Sequence, residues 1–199
     1  MRIIKRLITI LGLSAALTAF PLTLGATTAK ECACEKPTAA SYTWDFHREA
    51  NTLFEDVQTD AQQIEDHAAE LQSFSDEPEL SWHDHAIQLN QLKGEVNDMG
   101  QKLCRLETIR RVVAPWQQKT IDRIASNVPL MADNTEDAIL YLNAHQHDLT
   151  NPTYWRYADN LYSEGSNLTQ SGGEAVQYAK VLGEYHELRG EIGIGQNRS

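Results

Sequence analysis

The stretch SWHDHAIQLNQLKGEVNDMGQKLCRLETIRRVV, from Ser81 to Val113, decides the architecture. Trp82, His85, Leu89, Leu92, Val96, Met99, Leu103, Leu106, Arg110 and Val113 stand alternately three and four residues apart along it. An α-helix turns once in about 3.6 residues, so this spacing draws one stripe down one face for about nine turns. A stripe that long and narrow closes against other helices. Ser81 supplies an N-cap oxygen at the start, and Ala114-Pro115 makes an abrupt corner at the end.

Working outward, the same pattern recurs three times. Upstream, from Tyr42 to Phe74, the seam reads Phe46, Ala50, Leu53, Val57, Asp60, Ile64, His67, Leu71 and Phe74, and Ser75-Asp76-Glu77-Pro78 stops it. Downstream come Ile121, Ile124, Val128, Met131, Thr135, Ala138, Leu142, His145 and Leu149, closed by Thr150-Asn151-Pro152. The last seam carries Tyr154, Ala158, Leu161, Gly165, Leu168, Gly172, Ala175, Ala179, Leu182 and His186. A tryptophan opens each repeat (Trp44, Trp82, Trp116, Trp155) and is expected to plug a bundle end. Matched lengths and short corners predict an all-α, antiparallel up-down-up-down four-helix bundle over residues 42–190. The sustained period predicts left-handed, coiled-coil-like packing. Residues 191–199, rich in glycine, are expected to form a flexible tail.

The chain begins with the basic run Met1-Arg2-Ile3-Ile4-Lys5-Arg6, continues apolar to about Leu24, and reaches small residues at Gly25, Ala26 and Ala29. That order predicts a secretory signal peptide over residues 1–29, and hence a periplasmic or extracellular protein with no membrane insertion after cleavage. Removing Arg2, Lys5 and Arg6 takes the 17 basic side chains to 14 against 28 acidic ones, so the charge goes from -11 to -14. Such a surface repels phosphate backbones and anionic lipid, which argues against nucleic acid as a partner. A Cys-containing lead-in, residues 30–41, precedes the bundle. With the helices paired as expected, a disulfide from Cys32 or Cys34 to Cys104 is within reach, and the remaining thiol is then left to cross-link two chains or stay free.

Antiparallel pairing allows the seams to be compared height by height. Gly100, Pro129 and Gly172-Gly173 fall at one level, which raises two alternatives: a shared bend, or a break of the fourth helix at the capping box Ser171-Gly172-Gly173-Glu174. Asp60 and Thr135, with Asn134 and Asn167 nearby, make a polar layer that would fix register. Arg110 is expected to pair with Asp45 or Glu49.

Five of the seven histidines, His67, His83, His85, His145 and His147, gather at one end. His85 faces His145 by height, and His67 lies about one turn further in. Facing neutral imidazoles with Asp66, Glu70, Asp84 and Asp148 nearby are a candidate Zn²⁺ or Cu²⁺ site built from His67, His85 and His145. The two rings of a His-x-His step diverge by about 200° on a helix, so only one of each pair points inward. The carboxylate-bridged di-iron pattern, covalent-haem and His-Glu-x-x-His motifs are absent from the sequence, and so is a glycine-rich phosphate loop after a strand. The expectation is therefore an exported non-enzymatic bundle that binds another protein or itself, or supports the envelope, without an obligate cofactor.

Ser81-Trp82-His83-Asp84-His85-Ala86, Leu89-Asn90-Gln91-Leu92-Lys93 and Pro115-Trp116-Gln117-Gln118-Lys119-Thr120-Ile121-Asp122 resemble stretches of uncharacterised secreted helical proteins of bacteria. The resemblance covers the second and third helices best. It implies export and a helical fold, and it brings no activity, cofactor or site residue with it.

Overall fold

The computed structural model describes residues 44–74, 77 and 79–196. The expected signal segment and the lead-in with Cys32 and Cys34 lie outside the described residues. Within them every regular element is helical: α1 (Phe46–Ser73), α2 (Trp82–Ile109), a short 3-10 turn (Arg110–Val112), α3 (Pro115–Ala144) and α4 (Pro152–Gln196).

Each start has its own local cause. The Asp45 carboxylate accepts the Arg48 N–H at 3.1 Å, and Glu49 in the first turn suits the positive end of the helix dipole. Before α2, the Asp84 carboxylate accepts both the backbone N–H and the hydroxyl of Ser81 at 2.8 Å. Those bonds hold the Asp84 carboxyl below its ordinary range. Pro115 opens α3 where its missing N–H costs nothing. Asn151 caps α4 by accepting the Thr153 N–H at 2.9 Å.

All four helices contribute to one core, among them Phe54, Ile64, Leu71, Leu89, Leu92, Met99, Ile121, Ile124, Tyr154 and Leu161. On α1 the buried side chains are Ala50, Phe54, Val57, Asp60, Ala61, Ile64, Ala68 and Leu71. Of the expected seam positions, Asp60 is buried, while Leu53 and His67 are half-buried, each one residue short of buried Phe54 and Ala68. One residue is about 100° of rotation, which brings Asp60 and His67 to the flank that meets α2. Asp60 forms an ion pair with Lys102 there.

The most extensive helix contact joins α1 and α4. A Cβ at Gly165 would stand 3.0 Å from the Glu65 backbone N and 3.1 Å from the Ala61 carbonyl O. At Gly172 it would stand 3.0 Å from Gln58 Cβ. Both close approaches join the same pair of helices. These glycines serve approach, and α4 runs unbroken through Ser171-Gly172-Gly173, so the break considered there does not occur.

Two further expectations change. Arg110 pairs with Asp122 at 2.6 and 2.7 Å, because the 3-10 turn swings it toward α3. Glu49 instead takes Arg105 at 2.5 and 3.1 Å, and Asp45 is occupied as a cap. Helical structure also continues through residues 191–196, within the segment expected to be loose. No proline interrupts the hydrogen-bond ladder after Pro152, so the glycines there weaken the helix without ending it. No helix among the described residues is long and apolar enough to cross a membrane.

Candidate functional site

The Ser81–Asp84 cap sets the rotation of the first turn of α2, and that rotation sorts the two histidines of His83-Asp84-His85. His83 points outward and stacks on Trp82. His85 points inward and is 2% exposed. Its ring meets the edge of Phe74 at 5.1 Å and lies 5.8 Å from Trp155. Its Nδ1 is 3.2 Å from the Tyr154 hydroxyl. Burial pushes the His85 pKa down, against a smaller opposing pull from Asp84, so the ring is held neutral.

Tyr154 is itself buried, and desolvation moves its phenol well above the ordinary tyrosine range. It stacks on Tyr141 at 5.6 Å, and Tyr141 stacks on His145 at 4.2 Å. His85 and His145 are therefore not in contact: the rings of Tyr154 and Tyr141 stand between them. His145 caps α3 and is exposed, and its Nδ1–H donates to the Tyr141 carbonyl at 3.1 Å. His147 is exposed as well.

His67 belongs to a separate polar set. Its Nδ1 lies 2.8 Å from Gln88 Nε2, and its Nε2 lies 3.0 Å from Glu95 Oε1. Gln88 also donates to the His67 carbonyl at 3.0 Å and to Glu70 at 3.1 Å. Burial raises the pKa of Glu95, opposed by His67, and raises that of Asp60, opposed by Lys102. Both nitrogens of His67 are thus engaged within the protein. Among the described residues no three His, Cys, Asp or Glu side chains converge so as to hold a metal ion. Cys104 is buried and disulfide-bonded, while its expected partners lie outside the described residues.

At the opposite end, Gln117 makes a set of similar design. It donates to the His47 carbonyl and to Asn51 Oδ1, both at 2.8 Å, and its Oε1 accepts from His47 Nδ1–H at 2.9 Å. Neither glutamine was visible as a site residue from the sequence. The available signal was position: Gln88 lies one turn beyond inward-facing His85, and Gln117 is the third residue of a helix that opens on proline. Of the four tryptophans, Trp82, Trp116 and Trp155 pack against the core, whereas Trp44 is 63% exposed and donates to Glu49 at 2.6 Å. Trp44 also borders a shallow pocket of about 280 Å³ with Asp45, Arg48, Glu49, Thr52 and Leu53.

A third polar feature lies between α3 and α4. Glu164 accepts from Asn134 Nδ2 at 3.0 Å through Oε1, and its Oε2 is buried without a partner. Burial raises its pKa to about 7, helped by the charge of Asp133 and opposed by Asn134.

The remaining surface feature is apolar. α4 is 45 residues long against 28 for α1. On its C-terminal part Tyr178, Val181, Tyr185, Leu188 and Ile192 are all at least half exposed, with Ile192 reaching 65%. Their spacing is three, four, three, four. The chain matches no protein-family model, no curated protein and no solved structure.

Proposed function

We propose that this protein is an exported, non-enzymatic helical bundle whose work is to bind another protein chain through the exposed stripe of α4. The single observation behind this reading is the run of five large apolar residues from Tyr178 to Ile192, repeated at helical spacing and open to solvent. Exposed apolar rows of that regularity suit a partner surface. The buried His85–Tyr154 pair offers no route for a substrate, which favours a structural role for that end.

In this reading the bundle runs up-down-up-down, with neighbouring helices antiparallel and a left-handed supercoil. Contacts such as Glu49 with Arg105, His67 with Gln88, and Asn134 with Glu164 support the alternation. Residues 1–29 are removed on export to the periplasm or beyond, and Cys34 pairs with Cys104. The test is affinity capture from envelope extract, comparing the immobilised mature chain with its Leu188→Asp variant. A protein retained by the first and lost by the second is expected. Equal capture by both, or by neither, would overturn the reading.

A Zn²⁺- or Cu²⁺-binding bundle is the second reading, favoured by the exposed His145, whose Nε2 is left available when Nδ1–H serves the Tyr141 carbonyl. It requires His67 and His85 to leave their present partners. Titrating either metal into apo protein tests it, and affinity unchanged in the His85→Ala, His145→Ala double variant would end it.

A further inference from the structure

The stripe on α4 is not an unfinished part of the core. The core seam of α4 runs Tyr154, Ala158, Leu161, Leu168, Ala175, and its continuation would fall on Ala179, Leu182 and His186. Tyr178, Val181 and Tyr185 each stand one residue before those positions, a rotation of about 100°. The stripe is therefore turned toward the outside of the bundle, with Tyr178 at its root against Trp116 of α3 at 4.9 Å. The pairing of Gly165 with Glu65 and of Gly172 with Gln58 places Phe46, the first residue of α1, level with about residue 184 of α4. Roughly a dozen residues of α4 lie beyond that level, about 18 Å of helix.

In heptad terms Tyr178, Tyr185 and Ile192 take position a, and Val181 and Leu188 take position d. Glu184 and Glu191 are then at g, and Arg189 is at e, with Leu182 at the earlier e position. In a parallel two-stranded coil a g residue faces the e residue five positions on in the other strand. Glu184 and Arg189 are five apart, so two identical strands form that ion pair twice, once on each side. An antiparallel pairing would set g against g, bringing glutamates together. The charge pattern selects like against like, in one direction.

Resting on the reading of this stripe as the interaction surface, we propose that its occupant is a second copy of this chain. The two α4 extensions form a short parallel coiled coil over Tyr178–Ile192, flanked by two Glu184–Arg189 pairs. Two heptads make an interface at the small end of specific contacts, so the dimer is concentration-dependent.

The experiment is sedimentation velocity on the mature chain with its free thiol alkylated, across a hundredfold range of concentration. A monomer–dimer equilibrium is expected, and Leu188→Asp should weaken it at least about tenfold with helicity unchanged. Glu184→Arg and Arg189→Glu should each weaken self-association, and an equimolar mixture of the two should restore it, because both cross-strand pairs re-form in the heterodimer. A chain monomeric throughout overturns the proposal, whether Tyr185 is then open to chemical labelling or covered by the lead-in. So does a dimer indifferent to Leu188→Asp, or a mixture that does not recover. Capture of a different protein that Leu188→Asp abolishes, by a chain that stays monomeric, would remove the second copy and leave the protein-binding reading standing.

Discussion

The two halves of α4 are one continuous helix with opposite relations to their surroundings. From Ala158 to about Val176 its inward face is small or aliphatic, with Ala158, Leu161, Gly165, Leu168, Gly172 and Ala175 buried in the core. From Tyr178 onward the large side chains lie on another face and meet water. Helix continuity therefore does not require burial along the whole length. The first half is held by packing, and the second is carried by the ladder that the first half begins.

The largest way to break that contrast is to remove a leucine from each half. Leu161→Ala should lower unfolding stability by about 2 to 5 kcal/mol, because it leaves a cavity in a closed core. Leu188→Ala should change monomer stability by no more than about 0.5 kcal/mol, since the side chain is mostly in water. Denaturant melts at low protein concentration check both, and equal losses would show that the extension is buried in solution.

Next come the glycines. Gly165→Ala should cost about 1 to 3 kcal/mol, because the new methyl meets the α1 backbone and forces the helices apart. Gly183→Ala meets nothing within 4 Å and should instead stabilise the helix by about 0.5 to 1 kcal/mol. Opposite signs in thermal melts are the expected result.

The pH dependence sharpens the comparison further. Glu164, on the buried half, has a folded-state pKa raised to about 7 from an ordinary 4.5. A raised carboxyl pKa stabilises the fold when protonated, so its contribution is full below about pH 4.5 and disappears as pH rises through 7. Allowing for screening at a half-buried group, that amounts to about 1 to 2 kcal/mol. His85 works in the other direction: its lowered pKa favours the fold above its ordinary 6.5 and less so as pH falls. Subtracting the Glu164→Gln profile from that of the parent isolates the carboxyl, and a flat difference between pH 5 and 8 would refute its burial. The smallest effect is expected from Asp122→Asn, which breaks the Arg110 pair at the exposed α2–α3 corner and should leave melts at physiological salt almost unchanged, with a small loss at low salt.

The helices were legible because three-and-four spacing is a local property that each segment carries alone. The inward and outward split of His83 and His85 was legible for the same reason. Partner choice was not. Height alone matches Arg110 to acids on α1, but a three-residue change of helix type turns it to Asp122 of α3. On α1, a one-residue difference between the expected seam and the buried line puts Phe54 and Ala68 at the centre in place of Leu53 and His67, while Asp60 is buried beside Ala61. An ideal seven-residue repeat and a straight helix drift apart by about 20° per heptad, and no residue within α1 states which of the two it follows. The histidine end shows the same division. The inward turn of His85 is legible in the spacing of α2 alone, while the insertion of Tyr141 and Tyr154 between His85 and His145 depends on three helices at once.

Gln88 and Gln117 each grip a backbone carbonyl of α1, at His67 and at His47. The two grips are 20 residues apart along one rod, about 30 Å. Like bolts at both ends of a sliding bar, they forbid axial ratcheting: a one-turn slip of α1, about 5.4 Å, would tear both amides from their acceptors together.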